Sequence, residues 1–254
     1  MFTRVKTDEE IVSMRHGGRI LASILTSLRA VATDGMTTRD IDMFAREELK
    51  KLGGKPSVLG YQGFSGGICT SLNDEVVHGV PHKKKILRTG DILSLDFCVT
   101  YEDMITDSAI SFIVDEDKTD VPERTKRLLL DTERSLYAGI DAVKANVRTG
   151  DIGAAVEASL KPGGYGIVRD MVGHGVGHSV HEEPNIPNYG TQGNGPRLLK
   201  GMTIAIEPMV TLGSDNIIIS KKDGWTVRTA DKSLSAHFEH TVLITENGAE
   251  VLTE

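Results

Sequence analysis

One segment of this chain occurs twice. LRTGDILSLDF at residues 87–97 lines up with LLKGMTIAIEP at 198–208, placing Gly90 over Gly201 and Asp96 over Glu207. At the same offset of 111 residues, Asp40-Ile41 falls on Asp151-Ile152 and Gly53 on Gly164. An offset that recurs at three places points to duplication. The expected architecture is two like halves, about 1–118 and 119–254, within a single domain spanning 1–254. Each half reads as a long helix, a short helix and strands. Two halves that each offer an acidic residue from an equivalent strand would build a metal site on their shared axis.

Local signals fill in the halves. Thr7 and Glu10 form a capping-box pattern, and Ile11, Met14, Ile20, Ile24, Leu25, Leu28 and Val31 follow at helical spacing up to Asp34-Gly35. Thr38 is placed to cap a second helix with Ile41, Phe44, Ala45, Leu49 and Leu52 on one face and Gly53-Gly54 as its stop. Strand-like runs cover 68–71, 92–100 and 104–114, with Glu102-Asp103 turning between the last two. After the polar connection 115–120, Pro122 suits the first turn of a helix carrying Leu128, Leu129, Leu136, Ile140 and Val143. Gly150-Asp151 opens another helix that reaches Leu160 and stops at Pro162-Gly163-Gly164. Later strands are expected over 167–172, 202–212, 216–219, 226–229 and 236–245.

Five residues have the character of metal ligands: Asp96, Asp107, His174, Glu207 and Glu239. Each sits in an apolar or Gly-rich setting, where a carboxylate is costly unless paired or bound to a cation. With the turn at Glu102-Asp103, residue 98 opposes 107, and Asp96 lies diagonal to Asp107 on one face of the hairpin. Diagonal neighbours stand about 7–8 Å apart at Cα, and two ions about 3.5–4 Å apart fit between such carboxylates. Alternation along 236–243 puts His237 and Thr241 on the face of Glu239 and turns His240, a structural histidine, away. His174 and His178 are four apart, but Gly173, Gly175 and Gly177 argue against a helix that would bring them together. Asp8, Asp42, His16 and His82 read as surface residues.

Composition narrows the function classes. A net charge of −7 argues against a general binder of nucleic acid or anionic membrane, and Lys83, Lys84, Lys85 and Arg88 read as a solvated loop. Two cysteines, Cys69 and Cys98, with no Cys-x-x-Cys pair, fit a reducing compartment without a disulfide framework. The N-terminus is polar, without an apolar signal core, and no run approaches the 18 apolar residues of a membrane span. A cytoplasmic protein is expected. There is no phosphate loop of the Gly-Lys-Ser/Thr type, and Gly173-x-Gly175-x-Gly177 has the wrong spacing for a dinucleotide fingerprint.

Several motifs in order resemble the type I methionine aminopeptidases in their bacterial short form: NDEVVHGVP at 73–81, GDILSLDF at 90–97, GHGVGHSVHEEP at 173–184, WTVRTADKSLSA at 225–236, IEPM at 206–209 and EHTVLIT at 239–245. The resemblance implies an α/β pita-bread fold, two pseudo-symmetric halves around a central antiparallel sheet. It implies two divalent ions (cobalt, manganese, iron or zinc), with Asp107 and Glu239 bridging, Asp96 mainly on one ion and His174 with Glu207 on the other. It also implies removal of the initiator methionine from nascent chains by a metal-bridging water. Glu207 would be the general base, and His78 and His181 would contact substrate. Tyr61, Phe64 and Trp225 match positions of the methionine pocket. A monomer is the default, and docking near the ribosome follows only from the family's role. The chain departs from the family at Val58 (often Cys), Val180 (Phe in some), Thr106 (often Gly) and His237 (usually Gln). Two alternatives are an Xaa-Pro-type aminopeptidase, whose usual extra N-terminal domain has no room before Asp96, and a non-catalytic pita-bread binding protein, which typically loses metal ligands.

Overall fold

A computed structural model describes residues 3–254. The first half runs α1 (Asp8–Val31), α2 (Thr38–Lys51), β1 (Lys55–Pro56), β2 (Cys69–Leu72), β3 (Glu75–Val77), β4 (Ile92–Tyr101) and β5 (Met104–Ile113). The second runs α3 (Glu123–Asp141), α4 (Thr149–Leu160), β6 (Gly166–Ile167), β7 (Gly173–Gly175), β8 (Glu182–Ile186), β9 (Thr203–Ile206), β10 (Met209–Thr211), β11 (Ile217–Ile219), β12 (Val227–Thr229), β13 (Ser235–His237), β14 (Glu239–Ile244) and β15 (Ala249–Val251). The main sheet is antiparallel in the order β1-β4-β5-β14-β9-β7-β8, with β2 on β4 and β15 on β14. The halves therefore join where β5 meets β14.

The offset of 111 residues recurs in the backbone pairing. Lys55 and Pro56 pair with Thr100 and Val99, and 111 residues on Gly166 and Ile167 pair with Thr211 and Val210. The bridge Thr37–Ile86 recurs as Arg148–Arg197. Leu87 N–H donates to the Met36 carbonyl as Leu198 N–H does to Val147, both at 2.8 Å. Gly90 and Gly201, each at positive φ, donate to the carbonyls of Val114 and Ile244. Two symmetric strands, β5 and β14, then lie side by side, and Ala109 of one faces Glu239 of the other.

Strand alternation decides what the sheet shows on each face. Leu93, Leu95, Phe97 and Val99 of β4, with Phe112 of β5, pack into a core with Leu21, Leu25, Ile41 and Leu49 of α1 and α2. Ile204 and Ile206 of β9 and Val242 and Ile244 of β14 pack with Leu128, Leu136, Ile152 and Val156 of α3 and α4. The intervening residues on the opposite face are Asp96 and Cys98 on β4, Asp107 on β5, and Glu239 and Thr241 on β14. The sheet thus covers its apolar side with helices and gathers its acidic side in one place.

Several expectations need correction. The runs 202–212 and 236–245 are each broken, at Glu207-Pro208 and at Phe238. Pro208 has no N–H to continue a ladder, and the Phe238 N–H donates to the Pro208 carbonyl across the gap. The run 167–172 is a strand only over Gly166–Ile167. The cap of α2 is Thr37, which shares a capping box with Asp40. Asp42 is buried, accepting a hydrogen bond from the Gly67 N–H at 2.6 Å. Thr7 and Glu10 form their expected capping box, and the β4–β5 hairpin keeps Cys98 opposite Asp107.

Helix α1 lies close against the end of the chain. A Cβ on Gly18 would meet the Leu252 carbonyl oxygen at 1.9 Å. Gly18→Ala is expected to destabilise the fold by about 1–3 kcal/mol through overpacking, outweighing the roughly 1 kcal/mol helix-propensity gain. Urea unfolding followed by circular dichroism checks this; an unchanged or higher midpoint would show that the contact relaxes without cost.

Candidate metal centre

The five expected ligands converge on the open face of the sheet. Asp96 and Asp107 come from the β4–β5 hairpin, Glu239 from the start of β14, Glu207 from the break after β9, and His174 from β7. One group of donor atoms, from Asp107, His174 and Glu239, lies within 4.8 Å of one another, and so does a second, from Asp96, Cys98 and Asp107. Asp107 belongs to both. His174 Nε2 stands 3.4 Å from Glu207 Oε1. His174 Nδ1 donates to the Gly175 carbonyl at 2.9 Å. A carbonyl only accepts, so the lone pair is on Nε2, facing the carboxylates.

Electrostatics makes this cluster costly unless a cation is present. Burial pushes the Asp96 carboxyl up to about 8, with the Asp107 charge adding to it. Burial also raises Asp107 to about 7, Glu207 to about 8, and Glu239 well above the usual range. Burial lowers His174 to about 3 and His78 to about 4, keeping both imidazoles neutral. Asp107 Oδ1 and Glu239 Oε1 are buried with no hydrogen-bond partner. Such orphaned oxygens beside a neutral imidazole form a hard donor set suited to divalent cations.

The scaffold fixes individual ligands. Thr241 Oγ1 accepts from the Asp107 N–H and donates to the Asp107 carbonyl, both at 2.8 Å. The Ser108 hydroxyl donates to the Glu239 carbonyl at 2.6 Å. His237 is buried on β13, in a separate three-stranded sheet with β10 and β6, with Nε2 3.5 Å from Glu207 Oε2. His240 points away, 2.8 Å from Thr253 Oγ1, and has Tyr137 at its edge. His178 does not join His174; its Nε2 lies 2.7 Å from Glu10 Oε1.

A cavity opens over the cluster, walled by Val58, Tyr61, Phe64, Val180 and Trp225, with His78 and His181 beside the acidic floor. Trp225 meets Phe64 edge-on at 5.3 Å and His78 at 6.0 Å. The His181 ring stands 4.5 Å from the His174 ring, and its Nδ1 is 3.4 Å from the Tyr61 hydroxyl. His78 has φ of 56°, a left-handed backbone uncommon outside glycine and often found at functional positions. The loop before His181 is tied by Glu182, which accepts the N–H groups of His178 and Ser179 at 2.7 and 3.0 Å and pairs with buried Lys6 at 3.3 Å.

All ten expected site residues therefore meet in one place. The thiols are what sequence reasoning missed. Cys98 Sγ lies 2.7 Å from Asp107 Oδ2, and Cys69 is the register partner of Asp96. The signal was available, since Cys98 is two residues beyond Asp96 and shares its strand face.

An antiparallel sheet that buries carboxylates and one imidazole under an apolar cleft defines a metallohydrolase-type site. Residues 12–246 match the model of metallopeptidase family M24, and the chain belongs to that family. It is 41% identical over 249 residues to a methionine aminopeptidase of Clostridium acetobutylicum, covering 98% of each chain. It is 42% identical over 248 residues to methionine aminopeptidase 1 of Bacillus subtilis, with the same coverage. The crystal structure of a methionine aminopeptidase from Thermotoga maritima superposes with a TM-score of 0.95 at 43% identity over all of both chains. A prolidase from Pyrococcus furiosus shares the fold at a TM-score of 0.78 and 23% identity, with 65% of that chain covered.

Raised carboxyls link this site to pH. A carboxyl whose folded pKa stands above its unfolded value of about 4 holds extra protons in the folded state between those two pH values, so stability falls as pH rises across that window. For Asp96 and Glu207 the window runs from about 4 to about 8. Cation binding, which needs the deprotonated ligands, strengthens over the same range. The rise in melting temperature of metal-stripped protein on adding manganese is expected to be larger at about pH 8 than at about pH 5.5. An equal or smaller rise at the higher pH, by calorimetry, would contradict this reading.

Proposed function

We propose that this chain is a metal-dependent aminopeptidase that removes the N-terminal methionine from proteins. The observation that carries the reading is the acidic, imidazole-containing cluster at the floor of a narrow apolar cavity, in a chain matched end to end by methionine aminopeptidases.

Two divalent cations, drawn from cobalt, manganese, iron or zinc, would be held by Asp96, Asp107, His174, Glu207 and Glu239. Bound there, they would supply Lewis acidity toward water and the scissile carbonyl. Glu207 takes the proton of the attacking water at a carboxylate oxygen, as general base. His181 donates from its ring to the carbonyl oxygen as negative charge develops there. His78, kept neutral by burial, hydrogen-bonds near the scissile nitrogen. Tyr61, Phe64 and Trp225 exclude water from around an unbranched apolar side chain such as methionine. The free α-amino group of the substrate would bind at the metal centre, which restricts cleavage to the first residue.

The substrate is a protein N-terminus, taken here to be that of a nascent chain. The chain is read as a monomer acting in the cytoplasm, with one catalytic domain over 1–254; among the described residues no helix is long and apolar enough to cross a membrane.

Metal-stripped protein is expected to release methionine from a Met-Gly-Met-Met peptide only after cobalt or manganese is added. Asp107→Ala should abolish release, and His181→Ala should lower kcat by about 10²–10³-fold. Cleavage of an Xaa-Pro dipeptide alone would move the assignment to a proline-directed exopeptidase. No cleavage by folded, metal-loaded protein would leave a binding role.

A further inference from the structure

The donor cluster on the β4–β5 hairpin contains one group that the five-ligand site does not use. Cys98 is buried and free, and it shares the open face of β4 with Asp96. It pairs across the hairpin with Asp107. Its Sγ is 2.7 Å from Asp107 Oδ2, and with one oxygen each from Asp96 and Asp107 it forms a donor trio within 4.8 Å. Asp107 Oδ1 is buried and has no partner, so the same carboxylate presents one oxygen to the thiol and a second, unsatisfied one to its surroundings. The trio has the composition of a cation site with one soft donor among hard ones.

We propose that Cys98 is a further ligand, bound as thiolate, to the cation held by Asp96 and Asp107. The inference rests on the metal-centre reading above. On coordination the S–H bond breaks heterolytically, its proton passes to solvent, and a metal–sulfur bond forms, with no change of oxidation state. A coordinating thiol is deprotonated outright by the ion's charge. One thiolate in an oxygen-rich set biases the site toward cobalt, zinc or iron over manganese, so Cys98 acts as a metal-selectivity residue.

Anaerobic cobalt titration of metal-stripped protein tests this with a readout independent of turnover. Wild type and Cys69→Ser should each show a near-ultraviolet sulfur-to-cobalt charge-transfer band alongside the visible d–d bands. Cys98→Ser should keep the d–d bands, lose the charge-transfer band and release one proton fewer per chain on binding. In competition, Cys98→Ser should shift the cobalt-over-manganese preference by about tenfold or more toward manganese. If wild type binds cobalt and releases methionine with no charge-transfer band, the metal-centre reading stands and the thiolate is overturned. If Cys69→Ser is the variant that loses the band, the assignment to Cys98 is likewise overturned. If no cobalt binds at all, both fall. The wild-type and Cys69→Ser spectra decide the point even if Cys98→Ser does not fold.

Discussion

Mutual repulsion among four carboxylates in a water-poor hollow is the constraint around which this molecule is organised. Two like charges about 4 Å apart repel by about 4 kcal/mol at the effective dielectric near a protein surface, and Asp107 has one donor oxygen within 4.8 Å of Asp96 and one within 4.8 Å of Glu239. Without a counter-charge the groups hold protons, which is what the upward displacement of Asp96, Asp107, Glu207 and Glu239 expresses. The fold tolerates the cluster because β4, β9 and β14 turn apolar side chains to the helices on their other face. Relaxing one carboxylate away from the others would turn a strand over and expose its core residues.

The 111-residue repeat accounts for part of this arrangement. Asp96 and Glu207 occupy equivalent positions, and the hydrogen bonds around Gly90 and Gly201 repeat with them. Glu239 breaks the symmetry, since the residue that faces it across the join is Ala109. The pair at the join can present only one carboxylate to a shared ion without adding a further charge. The interruptions at Glu207-Pro208 and Phe238 free the backbone next to two acidic residues from the ladder.

Much of this was legible from the residues. The β4–β5 register followed from the Glu102-Asp103 turn, and the two-helix pattern of each half followed from apolar spacing. Gathering of the ligands followed from alternation, because a carboxylate between apolar strand residues must face away from them. Motif resemblance supplied His78, His181 and the aromatic wall, whose convergence depends on loops that periodicity does not describe. Three features stayed hidden for physical reasons. A proline inside an apolar run does not reveal whether the strand resumes. Asp42 looks like a surface residue on α2, because its partner is a backbone N–H 25 positions away. Cys98 was read for redox compartment, when its two-residue spacing from Asp96 already placed its sulfur among the ligands. Metal choice is then a property of β4 as much as of the carboxylates.

The most direct test is a diffraction experiment on crystals loaded with manganese or cobalt, with data collected at and below the metal absorption edge. Two anomalous peaks are expected about 3.5–4 Å apart, both touching Asp107 and Glu239, with Asp96 on one and His174 and Glu207 on the other. A fully loaded crystal with no peak among these residues, or with peaks that leave Asp107 and Glu239 uncoordinated, would contradict the idea that the acidic face of this sheet exists to hold divalent cations.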